Sequence, residues 1–170
     1  MLPRLTLILG GARSGKSRHA EALIAVTPAP WRYVATAQAL DAEMAERIAL
    51  HRQRRGAGWQ THEAPLDVPG ALARLGREAP PILVDCLTLW LTNLMLGEHD
   101  IAAAGTALES ALDAVRAPVV LVGNEVGLGI VPENALARRF RDEAGGLHQR
   151  LAARADHVLF MVAGLPMQVK

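Results

Sequence analysis

The 170-residue chain has little of several things, and each shortage narrows what it can be. With one cysteine, Cys86, no disulfide can form within the chain, and a reducing compartment suits it. Net charge is nearly absent, formally +1, which removes the strong basic bias that non-specific binding to nucleic acid or a membrane surface needs. Aromatic residues are scarce, with three Trp, two Phe and a single Tyr, so a core must be built mainly from aliphatic side chains. Long hydrophobic runs are missing too. The best candidate, "ILVDCLTLWLTNLML", falls short of the roughly 20 residues of a membrane span and contains Asp85 and Asn93. The opening "MLPRLTLILGGA" has the short apolar run of a weak signal peptide, yet a first core strand explains it better, because a glycine-rich motif follows at once. The expectation is one domain over residues 1–170, cytoplasmic, with no nucleic-acid partner and no stable membrane insertion.

Five short apolar runs read as strands: Leu5–Leu9, Tyr33–Thr36, Ile82–Asp85, Val119–Gly123 and His157–Val162. Most lack polar alternation, so both faces should be covered, as in a parallel sheet. Helices are predicted at Lys16–Val26, at Asp41–Arg55, after Asp100 (where Ile101, Leu108, Leu112 and Val115 form a stripe) and from Pro132–Asn134 towards Arg154. Gly145–Gly146 could break the last of these. "RQRRGAGWQTHEAPLDVPG" reads as the most mobile loop. Alternating strands and helices imply right-handed crossovers and an α/β domain of three layers.

"GGARSGKS" follows the first strand and opens the first helix. It fits G-x-x-x-x-G-K-[ST] through Gly10, Gly15, Lys16 and Ser17, with Gly11, Ala12, Arg13 and Ser14 between. Such a loop turns backbone N–H groups and a helix N-terminus towards phosphate, Lys16 reaches the outer phosphates, and the Ser17 hydroxyl can ligate Mg²⁺. "PPILVD" ends a strand in Asp85, where a P-loop NTPase fold with a mostly parallel central sheet places a second metal-orienting carboxylate. A helix N-cap is the plainer role for that aspartate. No N-K-x-D guanine reader is present: Asn124 in "GNEVG" has no Lys after it, which counts against a switch GTPase. The motifs alone stop at a P-loop phosphotransferase or NTPase.

In "DAEMAERIALHRQRR", Met44, Ile48 and His51 lie on one helical face, with Arg47 before the histidine and Arg52 and Arg55 after it. Cationic neighbours favour a neutral imidazole, with a ring nitrogen able to attack phosphorus. A partly buried histidine on an amphipathic helix with a solvated basic face explains the pattern equally simply, and the residues alone lean that way.

Four ordered blocks, "LGGARSGKSRHAEAL", "YVATAQALDAEMAERIALHRQRRGAGWQTHE", "LVDCLTLWLTNL" and "VGNEVGLGIVPENALARRFRDEAGGLHQRLA", resemble the bifunctional adenosylcobinamide kinase / adenosylcobinamide-phosphate guanylyltransferase family of cobalamin biosynthesis. The resemblance runs from Leu5 to the C-terminus, with roughly His99–Arg116 undistinctive. It implies phosphorylation of the aminopropanol hydroxyl of adenosylcobinamide, then transfer of GMP from GTP to that phosphate through a guanylylated histidine, here His51. It further implies ATP and GTP as substrates, Mg²⁺ on Ser17 and Asp85, and a homotrimer. Nucleotide contacts carry over to Gly10–Ser17, to Ala35, Thr36 and Ala37, to Arg52, Gln53, Arg54 and Arg55, to Glu63 as a reader of guanine, and to Asp85. Catalysis falls to His51 and Lys16. "NEVGLGIVPEN" would shape the substrate mouth. His148, where the family pattern expects Asn, reads as a tolerated substitution, and His19, His62, His99 and His157 as ordinary histidines. A P-loop small-molecule kinase without guanylyl transfer, or a non-catalytic nucleotide-binding regulator, would share the loop but not the histidine chemistry.

Overall fold

Strands apolar on both faces need cover on both sides. The computed structural model describes residues 2–39 and 41–170, apart from the side chains of Glu43, Arg47 and Arg54. Its elements in chain order are β1 (Leu5–Gly10), α1 (Lys16–Ala25), β2 (Trp31–Ala35), α2 (Ala42–Arg54), β3 (Trp59–Glu63), α3 (Val68–Leu75), β4 (Ile82–Asp85), α4 (Leu87–Leu96), α5 (Ile101–Ala114), β5 (Val119–Asn124), α6 (Ala135–Arg154), β6 (His157–Val162) and β7 (Leu165–Gln168). They build a seven-stranded sheet in the order β3-β2-β4-β5-β1-β6-β7. All pairings are parallel except the final β6–β7 hairpin.

Two apolar layers cover the sheet. On one face Leu5, Leu7, Val34, Val84 and Leu121 pack with Leu72 of α3, Trp90 and Leu91 of α4, Leu108 and Leu112 of α5, and Leu147 and Leu151 of α6. On the other, Ile8, Tyr33, Leu83, Val120 and Val122 pack with Ala20 and Ile24 of α1. This is the expected three-layer α/β arrangement, and the predicted strands and helices form within a few residues of their expected ends. The run "LTLWLTNLML" is α4, whose Leu87, Trp90, Leu91 and Leu94 are buried. No helix among the described residues is long and apolar enough to cross a membrane.

Two expectations fail. The stretch taken as a mobile loop contains β3 and the start of α3. In "WQTHE" only Trp59 is apolar, so periodicity could not show a strand. Pairing with β2 makes it one, and Trp59 packs against Trp31 at 5.4 Å between ring centroids. In α3, Pro69 and Gly70 look like breakers but sit in the first turn, capped by Asp67, whose carboxylate accepts from the Gly70 N–H at 2.8 Å. A side chain at Gly70 would collide with that carboxylate. Nor do Gly145 and Gly146 break α6. Each costs about 1 kcal/mol relative to Ala, less than the burial of Ala144, Leu147 and Leu151 beside them returns.

The helix α4 also ties down loops. The Asn93 side-chain amide donates to the carbonyl oxygens of Thr36 (2.9 Å) and Pro65 (2.8 Å), and the Trp90 indole donates to Leu66 O at 2.8 Å. Asn93→Ala leaves two carbonyls without these donors and is expected to cost about 1–3 kcal/mol in denaturant unfolding. A variant as stable as the parent would show that solvent replaces the clamp.

Candidate active site

The loop after β1 is shaped by close approaches. Gly10 has φ +151°, and a Cβ there would lie 2.7 Å from Met161 O and 2.8 Å from Ser14 Oγ. Gly15, at φ +93°, precedes α1, and a Cβ there would stand 3.3 Å from the Cα of Gly164 in the β6–β7 turn. The same turn donates its Gly164 N–H to Ser14 O at 3.1 Å, so the terminal hairpin braces the loop. Lys16 is 6 % exposed, and its ammonium donates to Gly11 O at 2.6 Å and to Ser14 Oγ at 3.4 Å.

A cavity of about 1100 Å³ opens over this loop and the carboxyl ends of the parallel strands. It brings together Arg13, Ser14, Gly15, Lys16 and Ser17 with Ala35 at the end of β2 and Ala37 beyond it, Glu63 at the end of β3, and Asp85 at the end of β4. From α2 come Met44, Ile48 and His51, the face read from the spacing, followed by Arg52 and Arg55. Gly10, Gly11, Ala12, Thr36 and Gln53 are not among the lining residues, and the Arg54 side chain lies outside the described residues. Thr36 is fully buried: its hydroxyl donates to Cys86 O (2.8 Å) and accepts from Cys86 N–H (2.7 Å), locking the β2 end to the β4 end.

Among the described residues, five cationic side chains (Arg13, Lys16, Arg18, Arg52, Arg55) line the cavity against two carboxylates, Glu63 and Asp85, which suits a polyphosphate. Arg52 pairs with Glu63 at 2.5 Å, with both side chains more than half exposed. Arg55 is 5 % exposed, with its guanidinium carbon 3.5 Å from the Tyr33 ring centroid and Nη1 4.0 Å from Glu21 Oε1. Among the described residues, no cluster of three or more His, Cys, Asp or Glu could hold a metal. The Ser17 hydroxyl and Asp85 carboxylate are hard oxygen donors in one cavity. Such a sparse pair fits Mg²⁺, which keeps waters and takes further oxygens from a bound phosphate chain.

Several lining residues were not legible from sequence. Tyr33 read as core strand, while Ala163 and Gly164 form a two-residue hairpin turn at positive φ, for which the Ala-Gly pair before "LPM" was the available signal. Asn124 lines the cavity, and its N–H donates to Thr88 Oγ1 at 2.6 Å. The Glu125 carboxylate accepts from Gly127 N–H, and a Cβ at Gly127 would crowd that carboxylate. His148 is buried over Gly123, whose Cβ would fall 2.8 Å from His148 Nε2. Burial lowers its pKa, partly offset by Glu125. His148 is not among the lining residues.

This fold with this site defines a P-loop nucleotide-binding protein. Among solved structures, the flagellar accessory protein FlaH from Methanocaldococcus jannaschii aligns with a TM-score of 0.52 at 13% identity, covering 99% of this chain and 80% of that one. A prototypical ATPase from the type III secretion system of pathogenic bacteria aligns at 0.53 and 11%, covering 94% and 51%. These likenesses speak for the fold alone. The family described as cobinamide kinase / cobinamide phosphate guanyltransferase matches residues 6–169, and the chain belongs to it. The bifunctional adenosylcobalamin biosynthesis protein CobP of Pseudomonas aeruginosa is 52% identical over 166 residues, covering 96% of each chain. The CobU proteins of Salmonella typhimurium and Escherichia coli, given the same bifunctional description, are 45% and 42% identical over 98% of this chain and 99% of theirs.

Cys86 also lines the cavity, as N-cap of α4, with its sulfur accepting from Leu89 N–H at 3.5 Å. Burial, then the nearby Asp85 charge, pushes its thiol up to about 11. At pH 8 the thiolate is therefore rare in the folded protein, and alkylation by iodoacetamide is expected to run about a hundredfold slower than after unfolding. A native rate close to that of a free thiol would contradict this packing.

Proposed function

We propose that the chain phosphorylates the aminopropanol hydroxyl of adenosylcobinamide with a nucleoside triphosphate and then transfers GMP from GTP to the resulting phosphate, through a guanylylated His51. The observation that carries this reading is the shared cavity: His51 on α2 faces the same space as Lys16, Ser17 and Asp85. A phosphate loop alone serves many reactions, whereas a histidine opposite it supplies a nucleophile.

In the guanylyl half, a ring nitrogen of His51 attacks the α-phosphorus of GTP. A P–N bond forms, the P–O bond to the β-phosphate breaks, and pyrophosphate leaves. A phosphate oxygen of the cobinamide phosphate then attacks the same phosphorus. The P–N bond breaks, and the product is adenosyl-GDP-cobinamide. Lys16, Arg52 and Arg55 line the same cavity and would spread the charge that develops on the phosphates. Ser17 and Asp85 would hold Mg²⁺, which when bound neutralises phosphate charge. The kinase half uses the same loop and needs only in-line positioning of the hydroxyl against a γ-phosphorus of ATP or GTP. Ala35 and Ala37 leave room for close approach at the strand ends, and Glu63 can accept from guanine N1–H and N2–H₂.

The proposed setting is the cytoplasm, and the proposed assembly a homotrimer. Exposed Leu128, Ile130 and Val131, and Leu165 and Met167 of β7, supply apolar surface for it.

Incubation with GTP and Mg²⁺ followed by intact-mass measurement tests the mechanism. The parent protein is expected to gain one GMP, lost in acid and stable in base, while His51→Ala gains none but still phosphorylates cobinamide. A parent protein that binds GTP yet never carries the adduct would remove the covalent step and leave a kinase.

A further inference from the structure

Tyr33, the only tyrosine in the chain, has no part in the chemistry above, yet it touches two of the groups that do, Asp85 and Arg55. It is buried at 5 % exposure and lines the cavity. Its hydroxyl donates to Asp85 Oδ2 at 3.1 Å. Parallel pairing of β2 with β4 sets Tyr33 opposite Leu83 and Ala35 opposite Asp85, so the tyrosine reaches the carboxylate diagonally across two strands. The ring is fixed from outside as well. The Arg55 guanidinium covers it at 3.5 Å, and Trp59 packs edge-on, 6.1 Å between centroids at 83°. A ring held on these sides cannot swing its hydroxyl away without unstacking a buried cation. A phenol is protonated at neutral pH, so the hydroxyl is available as a donor to the carboxylate.

We infer that Tyr33 is a positioning residue for the metal: by committing Asp85 Oδ2 it fixes the plane of the carboxylate, so that the other oxygen is presented to the Mg²⁺ of the bound triphosphate. Hydrogen bonds from outside the coordination shell orient metal-binding carboxylates in this way, and their loss costs about ten- to a hundredfold in metal affinity. The inference rests on the assignment of Ser17 and Asp85 to Mg²⁺.

Tyr33→Phe is the clean variant, because it keeps the ring under Arg55 and against Trp59 and removes only the hydroxyl. The measurement is equilibrium binding of GTP, with and without Mg²⁺, to the parent, Tyr33→Phe, Asp85→Asn and the double variant. In the parent, Mg²⁺ should strengthen binding, and Asp85→Asn should abolish that gain. Tyr33→Phe should raise the Mg²⁺ concentration giving half of the gain by about tenfold or more while leaving Mg²⁺-free affinity unchanged. The double variant should be no worse than Asp85→Asn, since the hydroxyl acts only through that carboxylate. Parent-like Mg²⁺ dependence in Tyr33→Phe overturns the inference, as does an equal loss with and without Mg²⁺, which would mark a direct nucleotide contact or a packing role. A full Mg²⁺ gain in Asp85→Asn, or none in the parent, overturns the metal assignment and this inference with it, while leaving guanylylation of His51 standing.

Discussion

The site hangs on one constraint, the in-register parallel ladder that makes six strands stop on the same edge. Gly10 stands opposite Asn124 on one side and Met161 on the other. Asp85 is opposite Ala35 and Val122, and Ala35 is opposite Glu63. Glu63, Ala35 and Asp85 therefore share one row, and the phosphate loop begins at Gly10, two residues further along the same edge of the sheet, although along the chain these residues are scattered from Gly10 to Asp85. A slip of one residue would reverse the faces of a strand. In β4 it would exchange Leu83, packed with Ile24 and Tyr33 on one side, for Val84 and Ile82, packed on the other. Both layers are full, so the register that fills them also aligns the site.

The ladder fixes where the strands end but not where the following loops go. That falls to polar groups buried at the strand ends. Thr36 and Cys86 exchange two hydrogen bonds, Asn93 spans the Thr36 and Pro65 carbonyls, and Thr88 accepts from Asn124. Three of these residues lie on α4 or at its cap. An almost wholly apolar helix thus carries a few polar side chains on the edge that meets the loops. Its apolar side makes it core, and its polar side makes it the frame of the cavity. The Asp85–Cys86 peptide, which is cis, lies at this junction.

What was legible in the sequence follows from this division. Local signals sufficed for the phosphate loop, for strands buried on both faces and for the Met44–Ile48–His51 face, because each is a pattern within a few residues. β3 was hidden because its identity comes from pairing with β2, not from its own composition. β7 was hidden because a four-residue edge strand containing Pro166 is stabilised only by the hairpin beneath it. Thr36, inside the small-residue run "ATA", looked like a ligand contact. Its neighbours face the cavity, but its own hydroxyl points to Cys86, a partner 50 positions away. Tyr33 was invisible as a site residue for the same reason, since what distinguishes it from any core aromatic is a carboxylate on another strand.

Arg52 and Arg55 show the same gap between sequence and site. As letters they are alike, one turn apart beside His51. In the fold their burial differs, and so does what they can do. The Arg52–Glu63 pair is exposed, and such pairs are worth about 0–1 kcal/mol, so either partner can exchange the other for a group on an incoming nucleotide at little cost. Glu63 is thereby held at the cavity wall without being committed to that pair. Arg55 is buried between the Tyr33 ring and Glu21, and moving it would strand a charge in the interior. It is a fixed charge, already stripped of water, of the kind that stabilises a developing negative charge without reorganising. Because it follows directly on the last turn of α2, the contact that holds this charge also holds the end of the helix that carries His51. The setting of this charge and the placement of His51 are therefore one packing problem, solved at one tyrosine.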